Sequence, residues 1–95
     1  MIRVIIERRL FPGMESSYKQ VIREVKFQAS GMPGYISGEA LRNVEDHNVW
    51  LIVATWRTFT DWQAWQDSEA REELLAKIGP MLEQPETVSV YESGV

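Results

Sequence analysis

The chain has 95 residues, the length of one domain, and we interpret residues 1–95 as a single unit. Hydrophobic residues make up 44% and charged residues 25%, which excludes a disordered or fibrous protein. The net charge of −4 disfavours a nucleic acid partner, and the lack of cysteine excludes disulfides and thiolate catalysis. No apolar run approaches the roughly 20 residues of a membrane span, so we expect a cytoplasmic protein with no membrane partner.

The first third of the chain predicts a strand followed by a helix. Apolar side chains alternate with charged ones from Ile2 to Leu10, which is typical of a strand, and Pro12-Gly13 ends it. From Met14 onward the apolar residues recur at helical spacing. They are Met14, Tyr18, Val21, Ile22, Val25 and Ala29. We expect Gly31 to end this helix in the left-handed conformation.

Two strands are predicted next. Residues 35–43 alternate with Tyr35 and Ser37 on the same face, and Gly38 is expected to mark an irregularity such as a bulge. A polar connection, residues 44–48, leads to residues 49–56, the strongest strand pattern in the chain.

The last third predicts a broken helix and a final strand. Thr60 and Gln63 form a potential capping box for a short helix that runs through Trp65. Ser68 can cap a second piece, and Gly79-Pro80 should end it. The expected buried positions of that piece are Ala70, Leu74, Leu75 and Ile78. Residues 86–92 read as a strand.

This βαββαβ order predicts an α+β, ferredoxin-like fold with a four-stranded antiparallel sheet and both helical elements on one face. The third strand is unusual because residues 49–54 are apolar on both faces. A sheet covered by helices on one side only should have a polar second side. We therefore expect a second copy of the chain to cover that side, which makes a dimeric α+β barrel.

Three stretches resemble the antibiotic biosynthesis monooxygenase (ABM) family of dimeric α+β barrels. They are Gly-Met-Pro-Gly-Tyr at 31–35, the third strand closing in Trp56-Arg57, and Trp-Gln-Ala-Trp-Gln-Asp-Ser at 62–68. The resemblance covers nearly the whole chain. It is more specific for the fold of the family than for any particular reaction.

The resemblance implies a pocket between helices and sheet that holds a small aromatic or polyphenolic substrate. Monooxygenases of the family use no flavin, haem or metal, because the deprotonated substrate itself passes an electron to O₂. We therefore expect no cofactor, with the aromatic molecule and O₂ as partners. A non-catalytic small-molecule-binding or stress-related dimeric module is the alternative, and isomerase relatives of the barrel are a third possibility.

A haem-degrading branch of the superfamily is disfavoured. That branch has an Asn on the first strand, a Trp on the broken helix and a His that binds iron. The Trp corresponds to Trp65, but Arg8 stands at the Asn position and Leu75 at the His position, and leucine cannot bind iron. His47, the single histidine, lies in the connection between strands and is expected to be exposed.

Arg8 is the sharpest candidate for a functional residue. The strand pattern places it on the same face as Val4 and Ile6, so a guanidinium points toward an apolar region. A buried charge must be paired or must serve a ligand. Arg8 is therefore predicted to hold a phenolate or carboxylate. The alternative is a structural arginine that reaches solvent or pairs with a local glutamate.

Aromatic residues supply the other candidates. Trp62 and Trp65 are three residues apart and so share a helix face; Trp65 is grouped with Arg8 as a catalytic candidate and Trp62 with the substrate pocket. Tyr18 is the second pocket candidate, because a hydroxyl on a buried stripe needs a partner. Packing in the core is the alternative for all three. Trp50 and Trp56 are assigned to the core or an interface.

Overall fold

A computed structural model describes all residues, 1–95, and shows the predicted order of elements. The elements are β1 (Ile2–Arg9), α1 (Glu15–Ser30), β2 (Tyr35–Arg42), β3 (Val49–Trp56), α2 (Phe59–Gln66), α3 (Glu69–Ile78), a 3₁₀ turn (Gly79–Met81) and β4 (Thr87–Glu92). The strands form one antiparallel sheet in the order β2-β3-β1-β4. The ferredoxin-like α+β prediction is therefore confirmed. None of the helices combines the length and the apolar character needed to cross a bilayer.

The core lies between the helices and one face of the sheet. On β1, Ile2, Val4 and Ile6 are buried on this face and the intervening residues are more exposed, as the alternation predicts. The six apolar positions predicted for α1 all contact this core. The core divides into two clusters, one around Trp56 and one around Trp50 and Tyr18, both on the helix side of the sheet.

The turn after α1 differs from the prediction at its glycines. Gly31 has φ −84°, so it continues the right-handed turn, and its N–H bonds back to carbonyls of the last turn of α1. The prediction of a left-handed Gly31 is wrong; the left-handed residue is Gly34, with φ +84°. Its carbonyl accepts a hydrogen bond from the N–H of Arg57 at 2.7 Å, which ties the turn to the end of β3.

Gly34→Ala is expected to lower the free energy of unfolding by about 2–4 kcal/mol. About 1–2 kcal/mol comes from the left-handed backbone, and a Cβ at this position would collide with the carboxyl group of Asp61 and disturb the cap of α2. Gly13 is the matched control, since it has φ +88° but open space around its Cα. Gly13→Ala should therefore show the backbone cost alone in urea unfolding. Equal losses in the two variants would contradict this account.

The register of β2 also departs from simple alternation. Tyr35 pairs with Trp56 and Ser37 pairs with the adjacent Thr55, so Ile36 is an extra, bulged residue. The prediction that Tyr35 and Ser37 share a face is wrong, and the irregularity precedes Gly38. Because a bulge re-aims a side chain, Tyr35 lies on the helix side of the sheet.

Two local predictions for the broken helix are also wrong. The cap of α2 is Thr58 rather than Thr60: its hydroxyl accepts a hydrogen bond from the Asp61 N–H and donates one to the Asp61 carboxylate. Ser68 caps α3 as predicted. The second wrong prediction is that Leu75 of α3 is buried, since it is 39% exposed. Arg71 instead joins Leu74 and Ile78 on the buried face.

The other face of the sheet is covered by no element of the chain. The strand register places Ile5 beside Val53 and Leu51 beside Leu41 there, and Tyr91 of β4 lies on the same side. Leu41 and Tyr91 are exposed, and the central side chains are half-buried. We call this surface the open sheet face. Charged residues, among them Arg3, Glu7 and Glu39, surround its apolar centre.

Candidate functional site

A cavity of about 80 Å³ lies between α1, the helix side of the sheet and the α2–α3 unit. We call it the helix–sheet cavity. Most of its lining is apolar, supplied by α1, β1, β2, β3 and both parts of the broken helix. Two exposed residues, Lys26 and Glu39, also border it, although the strand register assigns Glu39 to the open sheet face. An apolar cavity with few polar groups is the common form of a small-molecule site.

Three tryptophans and a tyrosine form an aromatic wall of the cavity. Trp56 lies at their centre: its ring centroid is 5.4 Å from that of Tyr35, 6.2 Å from that of Trp62 and 6.4 Å from that of Trp65. The Trp56 and Trp65 rings are stacked with an interplanar angle of 24°. Trp62 and Trp65 are both buried because residues three apart share a helix face. The wall offers flat apolar surfaces suited to an aromatic ring.

Trp56 carries the unusual polar atom of this wall. Its side chain is 1% exposed, and Nε1 is the one fully buried side-chain nitrogen or oxygen without a hydrogen-bond partner. By contrast, Nε1 of Trp50, on the same strand, donates to the His47 carbonyl at 3.1 Å. Since buried polar groups are nearly always paired, an unpaired donor on a residue that lines the cavity calls for an acceptor.

Tyr35 adds a hydroxyl to the same cavity. A Cβ on Gly38 would lie only 2.7 Å from the Tyr35 hydroxyl oxygen, so glycine leaves room for the ring of Tyr35 to lie over β2. Burial raises the pKa of the Tyr35 hydroxyl above its ordinary value, so the group stays protonated at neutral pH and can donate a hydrogen bond.

Two arginines and one glutamate form a buried ionic group at the cavity, which we call the arginine–glutamate triad. Arg8 of β1 donates from Nε to Glu86 Oε1 at 2.9 Å, and its Nη2 forms an ion pair with the same oxygen at 2.8 Å. Arg71 of α3 donates from Nη2 to Glu86 Oε2 at 2.5 Å. The side chains of Arg8 and Arg71 are 2% and 4% exposed, and both line the cavity. One carboxylate is thus shared by two buried cations.

Tyr18 lies behind the triad and is absent from the cavity lining. Its hydroxyl accepts a hydrogen bond from Arg8 Nη1 at 3.0 Å, and its ring packs against Trp50. Burial raises the pKa of the Tyr18 hydroxyl, and the nearby Arg8 guanidinium opposes this rise. The position therefore supports a role for Tyr18 in orienting Arg8.

The structure brings three of the four predicted site residues, Arg8, Trp62 and Trp65, to the cavity and adds Trp56, Tyr35 and Arg71. The helical spacing of Arg71, three residues before Leu74 and seven before Ile78, indicates a buried position in the sequence, although Arg71 is not among the predicted site residues. Glu86, just before β4, has no local sequence pattern that predicts its pairing with Arg8 and Arg71.

The remaining sequence candidates lie outside the cavity. His47 is exposed in the β2–β3 connection, as expected, and Leu75 points away from the core. No three His, Asp or Glu side chains are arranged to hold a metal ion.

Comparison with known proteins gives consistent results. Residues 1–77 match the family model of antibiotic biosynthesis monooxygenases. SchA of Streptomyces halstedii is 23% identical over 79 residues, which are 83% of this chain. The chain spans about a fifth of the length of SchA.

Among solved structures, an antibiotic biosynthesis monooxygenase superposes with a TM-score of 0.89 at 16% identity, covering 98% of both chains. A conserved protein of Methanosarcina mazei Go1 gives 0.91 at 13% identity, covering 97% of this chain and 91% of its own. At these identities the superpositions show a shared fold.

Proposed function

This chain belongs to the antibiotic biosynthesis monooxygenase family, and on that premise we propose that it is a cofactor-independent monooxygenase-type enzyme acting on a small aromatic or polyphenolic substrate. The helix–sheet cavity is the proposed site. The observation that carries the proposal is the unpaired Nε1–H of Trp56, buried in an apolar cavity wall. It matches a substrate that combines an aromatic body with an oxygen acceptor.

The proposed roles follow from the contacts. Trp62, Trp65 and Trp56 form the aromatic wall against which the aromatic body packs, and Trp56 Nε1 is the donor to a carbonyl or phenolic oxygen. The guanidinium of Arg8 supplies positive potential that stabilises a substrate anion, and Tyr18 orients this guanidinium by accepting a hydrogen bond from it. A preorganised cation in a dry cavity stabilises developing negative charge more strongly than water does.

The chemistry balances without an added reductant. Loss of a proton gives an electron-rich anion that reduces O₂. Where the reacting carbon is a methylene, as in an anthrone, one oxygen atom becomes a carbonyl. The other leaves as water with the two hydrogens of that carbon. The protein's contribution is to bind the anion and exclude water.

One observation favours the second candidate, a binding module without turnover. No histidine or aspartate lines the cavity, and the one glutamate at its border, Glu39, is exposed and in register with Val53 on the open sheet face. A strong general base is therefore missing, so turnover requires a substrate acidic enough to ionise beside Arg8 and Arg71.

We also propose that the protein is a homodimer joined through the open sheet face. The apolar centre of that face supports this partner, because an exposed apolar patch on a small domain usually marks an interface.

Oxygen uptake with phenols, anthrones and quinols, without added cofactor, tests the proposal. Trp56→Phe removes the unpaired donor and should lower both ligand affinity and uptake about 3- to 10-fold, the value of one neutral hydrogen bond. Trp50→Phe is the matched control. It loses the bond to the His47 carbonyl and should cost about 1 kcal/mol of stability while keeping the wild-type uptake rate.

The outcomes separate the two candidates. Uptake that Trp56→Phe lowers and Trp50→Phe leaves unchanged supports the enzyme. Ligand binding that Trp56→Phe weakens, with no uptake by the wild type, supports the binding module. Equal effects of the two substitutions on binding would contradict the assignment of the cavity as the site.

A further inference from the structure

The arginine–glutamate triad holds more positive than negative charge. Two guanidinium groups face one carboxylate, and the side-chain exposures of the three residues are 2%, 4% and 11%. An arginine stays protonated in proteins, so the surplus is one full positive charge. A charge removed from water requires a counter-charge or hydrogen-bond acceptors.

The two arginines differ in how far their donors are used. Arg8 donates from Nε to Glu86 and from Nη1 to Tyr18, and its Nη2 forms an ion pair with Glu86, so each of its three nitrogens has a partner. Arg71 makes a single side-chain hydrogen bond, from Nη2 to Glu86. Its Nε and Nη1 have no hydrogen-bond partner. Neither of these nitrogens is fully buried, because Trp56 Nε1 is the one side-chain nitrogen or oxygen that is both fully buried and unpaired.

Arg71 is also the arginine placed against the aromatic wall. Its guanidinium carbon lies 5.3 Å from the centroid of the Trp62 ring, and both residues line the cavity. Glu86 does not line it, so the charge that the triad presents there is positive. Neither bordering residue compensates this surplus, because Lys26 is itself a cation and Glu39 lies in register with Val53 on the open sheet face.

We infer that the cavity selects an aromatic anion, a carboxylate or an ionised phenol, whose charged group contacts Arg71. This inference rests on the proposed function for the location of the ligand. Arg71 is the contacting residue because its fork has free N–H groups, and a planar guanidinium matches a planar two-oxygen acceptor. Arg8 and Glu86 are positioning residues that hold the Arg71 fork in place. The bound anion completes the charge balance of the triad.

A pair of probes that differ only in charge tests the inference on the wild-type protein. 2-Naphthoate and 2-naphthamide have nearly the same shape, and the indole N–H resonance of Trp56 reports binding in an NMR titration. We expect 2-naphthoate to bind at least about 10-fold more tightly, as one charge-assisted hydrogen bond provides. Equal affinities, or a preference for the amide, would overturn the inference.

Substitution locates the charge. Arg71→Gln should weaken 2-naphthoate about 10- to 150-fold and change 2-naphthamide less than about 3-fold. Arg23→Gln is the control, because it removes the same charge from an exposed position on α1 outside the cavity lining. A loss of 2-naphthoate binding as large in Arg23→Gln as in Arg71→Gln would show a general surface effect and overturn the inference. Arg71→Lys should recover only part of the affinity, because an ammonium lacks the fork.

A titration with 2-naphthol distinguishes the two sources of negative charge. A bound phenol whose pKa falls, seen by absorbance, identifies ionised phenols as ligands, whereas an unchanged pKa limits the cavity to carboxylates. The failures also differ. If both naphthalene probes bind equally, charge selection is wrong and the cavity remains the proposed site. If neither probe shifts the Trp56 resonance, the result contradicts both the assignment of the cavity as the site and the inference of charge selection.

Discussion

Replacing Glu86 with glutamine is expected to lower the free energy of unfolding by about 3–5 kcal/mol, the usual cost of removing one partner from a buried ion pair. The cost is large because Glu86 is the sole carboxylate for both Arg8 and Arg71, and its loss leaves two buried cations beside each other. Glu86 also joins the segment before β4 to β1 and α3. Urea unfolding at a fixed protein concentration measures the effect.

A surface glutamate provides the control for this loss. Glu24 faces Lys77 at 3.8 Å with both side chains more than half exposed, so Glu24→Gln should change stability by less than about 0.5 kcal/mol. Arg71→Gln should cost less than Glu86→Gln, because Arg8 and Glu86 then remain as a neutral pair. A loss below about 1 kcal/mol for Glu86→Gln would show that water reaches the triad and that its charges are not buried.

The features that the sequence predicts well are those that repeat along it. The alternation in β1 and the helical spacing in α1 each repeat several times along the element. A single residue that departs from the pattern therefore does not change whether a strand or a helix is predicted. Each strand boundary moved by at most one residue. The element order then allows few topologies, and the ferredoxin-like sheet is the common one.

The features that it predicts poorly depend on single contacts between distant residues. Arg8 was correctly placed on the buried face, but its ionic partner Glu86 is 78 residues away and lies outside any regular element. No periodicity reports such a pair. The alternative of a local glutamate is wrong in its partner, because the Leu10–Leu82 bridge and the Glu83 N–H to Arg9 carbonyl hydrogen bond bring the segment before β4 to the end of β1.

The aromatic wall shows the same limit at the level of register. Period-two alternation would have turned Tyr35 toward the open sheet face with Ser37. One bulged residue, Ile36, reverses this and brings Tyr35 beside Trp56. The bulge therefore decides which groups the cavity contains, although it changes one residue of the ladder. Chemistry at this site depends on such local irregularities more than on the fold itself.

The third strand connects the site to the proposed dimer. Trp56 and Ala54 face the cavity, while Val53 and Leu51 of the same strand face the open side. A partner packed on the open sheet face would hold β3 from behind and restrict its movement. Assembly and ligand binding are thus expected to share one strand.

Replacing Val53 with lysine is expected to convert the proposed homodimer into a folded monomer. Val53 lies between Ile5 and Glu39 near the centre of the open sheet face and is only half-buried in one chain, so a lone subunit tolerates the ammonium in solvent. Two-fold symmetry places the change in the interface twice. Even about 3 kcal/mol per buried, unpaired charge totals about 6 kcal/mol, which raises the dissociation constant roughly 10⁴-fold.

Light scattering at micromolar concentration measures the result, with wild type expected at about twice the 11.0 kDa chain mass and Val53→Lys at the chain mass. Phe27→Lys is the control. It makes the same kind of change on α1, where Phe27 is 82% exposed on the helix side, and should leave the dimer intact. A monomeric wild-type protein would contradict the proposed dimeric barrel. Dissociation caused by Phe27→Lys but not by Val53→Lys would show that the interface is formed by the helices. If Val53→Lys dissociates while its circular dichroism stays native, the doubly apolar third strand is explained by a sheet-to-sheet interface.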